Sequence, residues 1–443
     1  MVPTHPNLSA DVDFDVAVVG AGPSGCAAAL RCAEQGLNVV LIERGSAPGS
    51  KNLSGGVLYS RVLSDAVPSF ASEAPYERVV TRNVTTFLNE TSSVSIDYDD
   101  DRLREEVNAV TVLRAHLDPW LAGKAEEAGA FLMPGMHVDS LVTEEGPTGR
   151  PRVVGLSAGG DVLRSHVVIA ADGVNSFLAQ GAGLRPRPSS HQLAVGIKAV
   201  VNLPAERIED RFGVRAGEGA AHALVGDASA GVAGGGFLYT NKESLSLGLV
   251  LRLDDLVRSG HSSHALFERF LAHPGLARYL EGGEVIEYGS HLVAEGGLAM
   301  VGDLVADGLL IAGDAGGFTI NSGLQLRGMD LAIGSGLVAG EAAATALATG
   351  DVSSAGLKAY TDLLEDSFVM ADMRTYAGAP SFFERSGPYQ HWGATLAEVM
   401  HTSFSLDGTP RKAIRDVVRS AVRSSGVPLR QWAGDAWAAV RSL

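Results

Sequence analysis

The stretch FDVAVVGAGPSGCAAAL, Phe14 to Leu30, decides how the chain is read. Asp15 to Val19 is a short β-branched run, the signature of a buried strand. Gly20-Ala21-Gly22-Pro23-Ser24-Gly25 is a turn of the form GxGxxG. Pro23 to Gly36, rich in Ala and Leu, reads as a helix that stops at Gly36. Val39 to Glu43 is a second buried strand, so the segment is a β-α-β unit with a tight first crossover. Gly20 permits the turn out of the strand, and Gly22 lets backbone approach a pyrophosphate. Gly25 allows close helix–strand packing, and the helix N-terminus favours negative charge. Pro23 and Ser24 complete the turn. Glu43, followed by Arg44, can accept hydrogen bonds from a ribose diol. This much implies a dinucleotide and leaves NAD and FAD both open.

Two further strand ends remove that ambiguity. LLIAGDAGGF from Leu309 is an apolar strand ending in Gly313-Asp314, where an Asp on a glycine-rich turn can bind a ribityl chain. A Gly-Asp at this distance from an N-terminal GxGxxG is the pattern of FAD-binding two-domain oxidoreductases. VVIAADGVNS from Val167 ends in Asp172-Gly173, as in hydroxylase-type flavoproteins. FAD is therefore the expected cofactor. Arg114 opens a helix expected over Leu113 to Ala130. It can pair bidentately with a phosphate or lie solvated on the surface; position alone leaves both readings.

The chain has 443 residues, too many for one small core. The expected fold is α/β. A discontinuous Rossmann-like FAD-binding domain of the glutathione reductase/hydroxylase type occupies 1–80, 105–186 and 295–350. An inserted antiparallel β-sheet substrate domain occupies 81–104 and 187–294, and a helical C-terminal region occupies 351–443. Strands are expected at Met136 to Val142 and Val162 to Ala171, and alternating strands such as QLAVGIKAVVNL from Gln192 and SLSLGLVLRL from Ser244 mark the insert. Net charge −16 argues against nucleic acid. The two cysteines, Cys26 and Cys32, lie about 9 Å apart along one helix, too far for a disulfide. No metal site is expected, and reduced cysteines fit a cytoplasmic location. Met1 to Asp13 does not read as a signal peptide. The apolar stretch around Gly297 to Gly317 is broken by Asp303, Asp307 and Asp314, so no span of about 20 apolar residues emerges.

The chain resembles the FixC proteins, relatives of electron-transfer-flavoprotein:quinone oxidoreductase, and more distantly the geranylgeranyl reductases. The resemblance rests on PGSKNLSGGVLYS from Pro48, VLRAHLDPWLAGKAEEAGA from Val112, GGGFLYTNKESLSLGLV from Gly234, YGSHLVAEGG from Tyr288, AGDAGGFTINSGLQLRGMDLAIGSG from Ala312 and LEDSFVMADMRTYAGAPSFF from Leu364. It implies that Gly20, Gly22, Gly25 and Glu43 hold the adenosine half and that Arg114 lies near the FAD. Asp314 would bind the ribityl-phosphate region. Asn321, Ser322, Gly323 and Leu324 would lie beside the isoalloxazine, where backbone N–H groups can stabilise a reduced, anionic flavin. Ser54, Gly55 and Gly56 would face the flavin from the other side. Gly235, Gly236, Phe237 and Tyr239 would wall a substrate or quinone pocket. His291 and Glu295 are candidates for moving protons, or are a hydrogen-bonded framework pair. The fused quinone oxidoreductases carry a four-cysteine iron–sulfur domain. This chain has no cysteine after Cys32, so a cluster would come from a partner.

The implied function is electron transfer between a ferredoxin-like or electron-transfer-flavoprotein partner and a quinone. The alternatives are a reductase or dehydrogenase, or a monooxygenase, acting on an isoprenoid or secondary metabolite. Asp97 to Asp101 with Glu105 and Glu106 is an acidic run of the kind usually found on a solvated face. Pro410 to Leu443, in contrast, is basic, with Arg411, Arg415, Arg419 and Arg423 every four residues. Such a helix can lie peripherally on anionic lipid or dock an acidic partner. The other reading is an ordinary surface helix packed on its own domain.

Overall fold

The computed structural model describes residues 5, 8, 9, 11–51, 55–105, 108–146 and 149–443. Strand β1 (Phe14–Val19) lies at the centre of a largely parallel sheet and is buried on both faces from Val16 to Val19, the part that is an unbroken apolar run. Its neighbours are β2 (Val39–Glu43) and β10 (Asp161–Ala170), with Val16 level with Val39 on one side and Val167 on the other. Beyond β2 lies β7 (Phe131–Pro134). Beyond β10 lie β17 (Leu309–Ile311) and then the antiparallel β16 (Val305–Ala306). A hairpin of β8 (Ser140–Glu145) and β9 (Pro151–Ala158) continues from the antiparallel start of β10. Of the strand expected from Met136 to Val142, only Ser140 to Val142 is strand, the start of β8, and the separate strand β7 precedes that span. Gly135, at φ +77°, turns the chain between them.

Helix α1 (Pro23–Glu34) leaves the β1 turn with proline at its first position, where the missing N–H costs nothing. Its small residues, Cys26 and Ala27 to Ala29, are fully buried. Against it lies α3 (Met329–Thr349), and α2 (Arg114–Glu127) packs on the neighbouring side. Glycine permits this proximity. A Cβ on Gly336 would overlap the Ser24 carbonyl, and one on Gly340 would lie 2.8 Å from the Ala28 carbonyl. Helix α3 is long and apolar enough to cross a bilayer, but it lies mostly buried in this core. Both thiols of α1 are buried and free, and burial pushes Cys32 up to about 12.

The second sheet has nine strands in the order β15 (Glu284–Ala294), β11 (Leu193–Asn202), β14 (Ser244–Arg252), β13 (Gly234–Thr240), β12 (Glu218–Gly226), β4 (Tyr76–Leu88), β6 (Ala109–Val112) and β3 (Gly56–Tyr59), with β5 (Ser93–Asp99) beside β4. It differs from the expected insert in two ways. It recruits β3 and β6 from segments assigned above to the FAD-binding domain, and β12 pairs with β4 in parallel. Those two strands are far apart in sequence, so no hairpin dictates their direction. Helices at Ala205–Phe212, Leu253–Ser259, Ser263–Ala272 and Pro274–Leu280 cover the back of this sheet. There Ile208, Phe212, Phe267 and Phe270 pack on Leu247, Leu249 and Leu251. The acidic run is partly neutralised, with Asp97 paired to Arg82 (2.9 Å) and Asp100 to Arg102; Glu106 lies outside the described residues.

The C-terminal region is helical as expected. It includes α4 (Phe368–Thr375), α5 (Trp392–Phe404), α6 (Ile414–Ser424) and α7 (Leu429–Ser442). The basic stripe is shorter than the sequence spacing suggests. Arg411 precedes α6 and folds back to donate to the last carbonyls of α5, including that of Thr402 at 3.0 Å. Arg415, Arg419 and Arg423 remain on α6. Val417 and Ala421 of that helix are buried against its neighbours, while Ile414 and Val418 face outward.

Gly336→Ala is expected to lower stability by about 2 kcal/mol through overpacking against α1. Gly123→Ala, in α2 with nothing within 4 Å of the added carbon, is expected to raise it by up to about 1 kcal/mol. Thermal denaturation of both variants checks the opposite signs.

Candidate active site

The C-terminal ends of the parallel strands converge on one groove. At its floor, Gly20 has φ +102°, and a Cβ there would overlap the Ala171 carbonyl. A Cβ on Gly22, by contrast, would meet only the Arg114 guanidinium, at 3.4 Å. The turn is therefore closed toward the sheet and open toward Arg114. Glu43 sits at the end of β2 with both carboxylate oxygens turned into the loop, accepting from Ala21 N (3.0 Å) and Gly45 N (2.6 Å). Arg114 is held rather than extended in solvent. Its Nε and Nη2 each donate to fully buried Asp118 at 2.6 Å, one turn along α2. Asp118 thereby aims the guanidinium at the phosphate turn.

Asp172 follows β10. Its Oδ2 accepts from Leu178 N (3.1 Å), Oδ1 is buried with no partner among the described residues, and burial raises its pKa. Asp314 lies in the short 3-10 turn Gly313–Gly316, where Gly313 N donates to Ser335 Oγ of α3 (2.9 Å). Its carboxyl is raised by burial, with Arg114, Arg185 and Lys198 opposing the rise. Arg185 joins these two loops by donating to Ser176 Oγ (3.3 Å) and to the Asp314 and Ala315 carbonyls (2.9 and 2.6 Å).

The large sheet closes the groove from above. Lys198, in the middle of β11, lies on the face that looks away from the covering helices, 5.8 Å from the Phe237 ring. Burial, then the field of Arg114, lowers it to about 8, with Asp314 opposing. No described residue pairs with it. His291 stands level with Gly196 on β15 and is lowered by desolvation, then by Lys198, Arg44 and Arg114. A chain of net charge −16 thus gathers Arg44, Arg114, Arg185, Lys198 and His291 around one groove. That arrangement fits the diphosphate of a dinucleotide.

Next to the groove is a cavity of about 730 Å³. Gly235, Gly236, Phe237 and Tyr239 form one wall, with the two rings stacked at 4.9 Å and 23°. The lining also includes Asn321, Gly323 and Leu324 from a small hairpin, β18 (Ile320–Asn321) and β19 (Leu326–Arg327). Within it the Ser322 N–H donates to the Gln325 carbonyl (2.9 Å) and the Gly323 N–H to Asn321 Oδ1 (3.0 Å), so these two donors are used inside the hairpin. Ser322 itself is buried beneath it. Gly55 and Gly56 sit between Ser246 of β14 and Met329 of α3; Ser54 lies outside the described residues. Glu295 lines the cavity and His291 does not, and the two form no hydrogen bond with each other.

Arg327 locks the hairpin in place. It donates to Asp330 at the start of α3 (2.7 Å) and to Asp372 of α4 (2.6 Å), and lies 5.8 Å from the Tyr59 ring of β3. One guanidinium thus ties four elements around the cavity. Lys198, Arg185 and Arg252 are site residues that sequence reasoning passed over. The available signal was a single cation inside an otherwise apolar run, as with Lys198 in QLAVGIKAVVNL.

Comparison with known proteins agrees with this geometry. A family described as "FAD binding domain" matches residues 13–215, and one described as "ETF-QO, ubiquinone-binding" matches residues 193–293. The chain is 43% identical to a probable electron transfer flavoprotein-quinone oxidoreductase, YdiS, of Escherichia coli K12, over 94% of this chain and 96% of that protein. It is 41% identical to the FixC protein of the same strain, over 92% and 94%. A geranylgeranyl bacteriochlorophyll reductase-like protein of Thermoplasma acidophilum shares the fold, with TM-score 0.66 and 20% identity over 93% of this chain and 96% of that one. The cofactor is FAD.

Two substitutions separate structural from cofactor effects. Arg327→Ala leaves Asp330 as a buried uncompensated charge and is expected to cost about 3 kcal/mol, read by denaturant unfolding. Lys198 has a folded pKa below its unfolded value, so at neutral pH its charge destabilises the cofactor-free fold. That penalty fades as pH rises from about 8 toward the unfolded value. Lys198→Met is therefore expected to raise the melting temperature of the apoprotein at pH 7 while weakening FAD binding at least tenfold in a fluorescence titration.

Proposed function

The chain belongs to the family of FixC and the electron-transfer-flavoprotein–quinone oxidoreductases and is an FAD-dependent oxidoreductase; we propose that it passes electrons from a protein donor to a quinone seated in the 730 Å³ cavity. The observation that carries this reading is the identity of the cavity wall. Phe237, Tyr239, Val250 and Arg252 belong to the segment that matches the ubiquinone-binding family. The stacked Phe237 and Tyr239 rings offer a flat apolar surface to a quinone ring. Burial pushes the Tyr239 phenol up, so it remains a neutral hydrogen-bond donor throughout the working pH range. Reduction of an isoprenoid and oxygen activation share this fold, but neither accounts for a ubiquinone-type wall.

In this reading Gly20, Gly22, Pro23, Ser24, Gly25, Glu43 and Arg44 hold the adenosine half of the FAD. Arg114, aimed by Asp118, meets the diphosphate together with Lys198. Asp172, Gly313 and Asp314 take the ribityl region, and Gly55, Gly56 and the hairpin Asn321 to Leu324 bracket the ring system. Bound there, FAD accepts and releases electrons singly or in pairs, which is what couples a one-electron protein donor to a two-electron quinone. The chain's own residues position the two reactants on either side of the hairpin and exclude water from the space between.

The donor is of electron-transfer-flavoprotein or ferredoxin-like kind. Quinones dissolve in membranes, and the C-terminal helices supply a surface suited to peripheral contact. Phe404, Leu406, Ile414, Leu429, Trp437 and Val440 are all exposed there, beside Arg415, Arg419 and Arg423. Apolar side chains rimmed by arginines suit an anionic bilayer. Leu443 and Trp392, from the same region, line the cavity, so a quinone tail has a short path from that surface.

The test uses purified holoprotein, reduced anaerobically with light. Reoxidation by a short-chain ubiquinone analogue is expected to outpace reoxidation by air-saturated buffer. Fast reaction with oxygen that depends on an organic substrate would overturn the reading in favour of a monooxygenase. In addition, changing Arg415, Arg419 and Arg423 together to Glu is expected to abolish sedimentation with anionic vesicles while leaving the flavin spectrum unchanged.

A further inference from the structure

Glu295 follows β15 and borders the cavity. Its N–H donates to the Gln192 carbonyl (2.9 Å), and the neighbouring Ala294 carbonyl accepts from Thr319 Oγ1 (3.1 Å), just before the hairpin. The side chain therefore lines the cavity beside the ring-binding hairpin. No described residue donates a hydrogen bond to its carboxylate. The charged and titratable groups around it are few. Arg252 of β14 is the nearest cation, and it is already shared with Asp254 (3.1 Å) and Asp255 (2.5 Å) of the helix Leu253–Ser259. Tyr389, from the short helix Gly387–Gln390, and Tyr376, after α4, border the same cavity, and burial pushes the Tyr389 phenol up.

On the outer edge of the cavity stands His191, in the turn that holds the Glu295 backbone. Its Nε2 lies 2.8 Å from Glu384 Oε1 and its Nδ1 lies 3.2 Å from Asp254 Oδ2. Half of the imidazole surface is exposed. Hydrogen bonding to Glu384, then to Asp254, raises its pKa. Ser189, His191, Gln192, Arg252, Glu295 and Glu384 all border the one cavity.

We propose that Glu295 is the proton donor to the bound quinone, and that His191, held between Asp254 and Glu384, resupplies it from solvent. The proposal rests on the quinone reading above. It follows from the balance of the reaction. A quinone becomes a quinol by taking two electrons and two protons. The reduced anionic cofactor supplies two electrons and one proton, so one more proton must enter from the protein. In this step the Glu295 O–H bond breaks and a quinol O–H bond forms, leaving a carboxylate that His191 reprotonates. Desolvation, opposed by Arg252, holds Glu295 at about 7. At neutral pH it can therefore both give and regain a proton, which an ordinary exposed carboxylate would not do efficiently.

The experiment compares two oxidants on photoreduced holoprotein in a stopped-flow instrument. A short-chain ubiquinone analogue takes electrons and protons; ferricenium takes electrons alone. With Glu295→Gln, the ratio of quinone rate to ferricenium rate is expected to fall about a hundredfold. The wild-type quinone rate is expected to decline as pH rises through about 7, where Glu295 loses its proton, and this dependence should vanish in the variant. Because a buried substitution can disturb folding, His191→Asn at the half-exposed end is the second variant. Its quinone rate is expected to fall and to recover on adding imidazole. An unchanged rate ratio in Glu295→Gln, or an unaltered pH profile, overturns the proposal. A wild-type protein that ferricenium oxidises but quinone does not overturns the quinone reading, and the proposal with it.

Discussion

Backbone-to-backbone contact around α1 governs the rest of the molecule. Where Gly25 passes Gly20, and where Gly336 passes Ser24, no side chain separates the chains. Helix α3 can approach α1 closely only because both glycines of its face lack a Cβ, and that approach places the N-terminus of α3 at the cavity. There Asp330 receives Arg327, and Arg327 in turn fixes the hairpin, α4 and the Tyr59 side of β3. A methyl group at Gly336 would therefore act at the other end of the helix as well as at the point of contact, because packed interiors transmit displacement.

The electrostatics of the site follow from the same convergence. Strand ends bring Asp172 and Asp314 into a space that the large sheet then covers, and desolvation raises both carboxyls. Lys198 enters from the opposite sheet and is lowered by the same burial. Each charge taken alone is costly in such a place. Gathered around a diphosphate they become complementary, so an acidic chain concentrates buried positive charge at this groove.

Legibility in the sequence tracked locality. The β-α-β unit at Phe14 to Glu43 and the strand-end aspartates at Asp172 and Asp314 could be read because each is one turn whose residues touch one another. The family resemblance led to the hairpin and the aromatic wall. Arg411 was misread as part of a stripe because a spacing of four residues cannot show that α6 begins only at Ile414. The recruitment of β3 and β6 into the large sheet was missed for a similar reason: pairing across the chain leaves no periodic trace in a four-residue strand. Lys198 and Arg252 sat unnoticed in apolar runs, where alternation shows which side chains share a face but not what that face meets.

By itself the sequence determined a dinucleotide turn, the residue types at its strand ends and the class of cofactor, since these depend on glycine conformation and on contacts between near neighbours. Only the tertiary structure decided that Arg114 is aimed by Asp118, that Lys198 faces the cofactor groove, and that Glu295 rather than His291 opens on the cavity. Those outcomes depend on how two sheets lie face to face, and hence on which groups lose water together. The GxGxxG of Phe14 to Leu30 specified where a phosphate would be bound; the packing of α3 and the large sheet around it specified what else would be within reach.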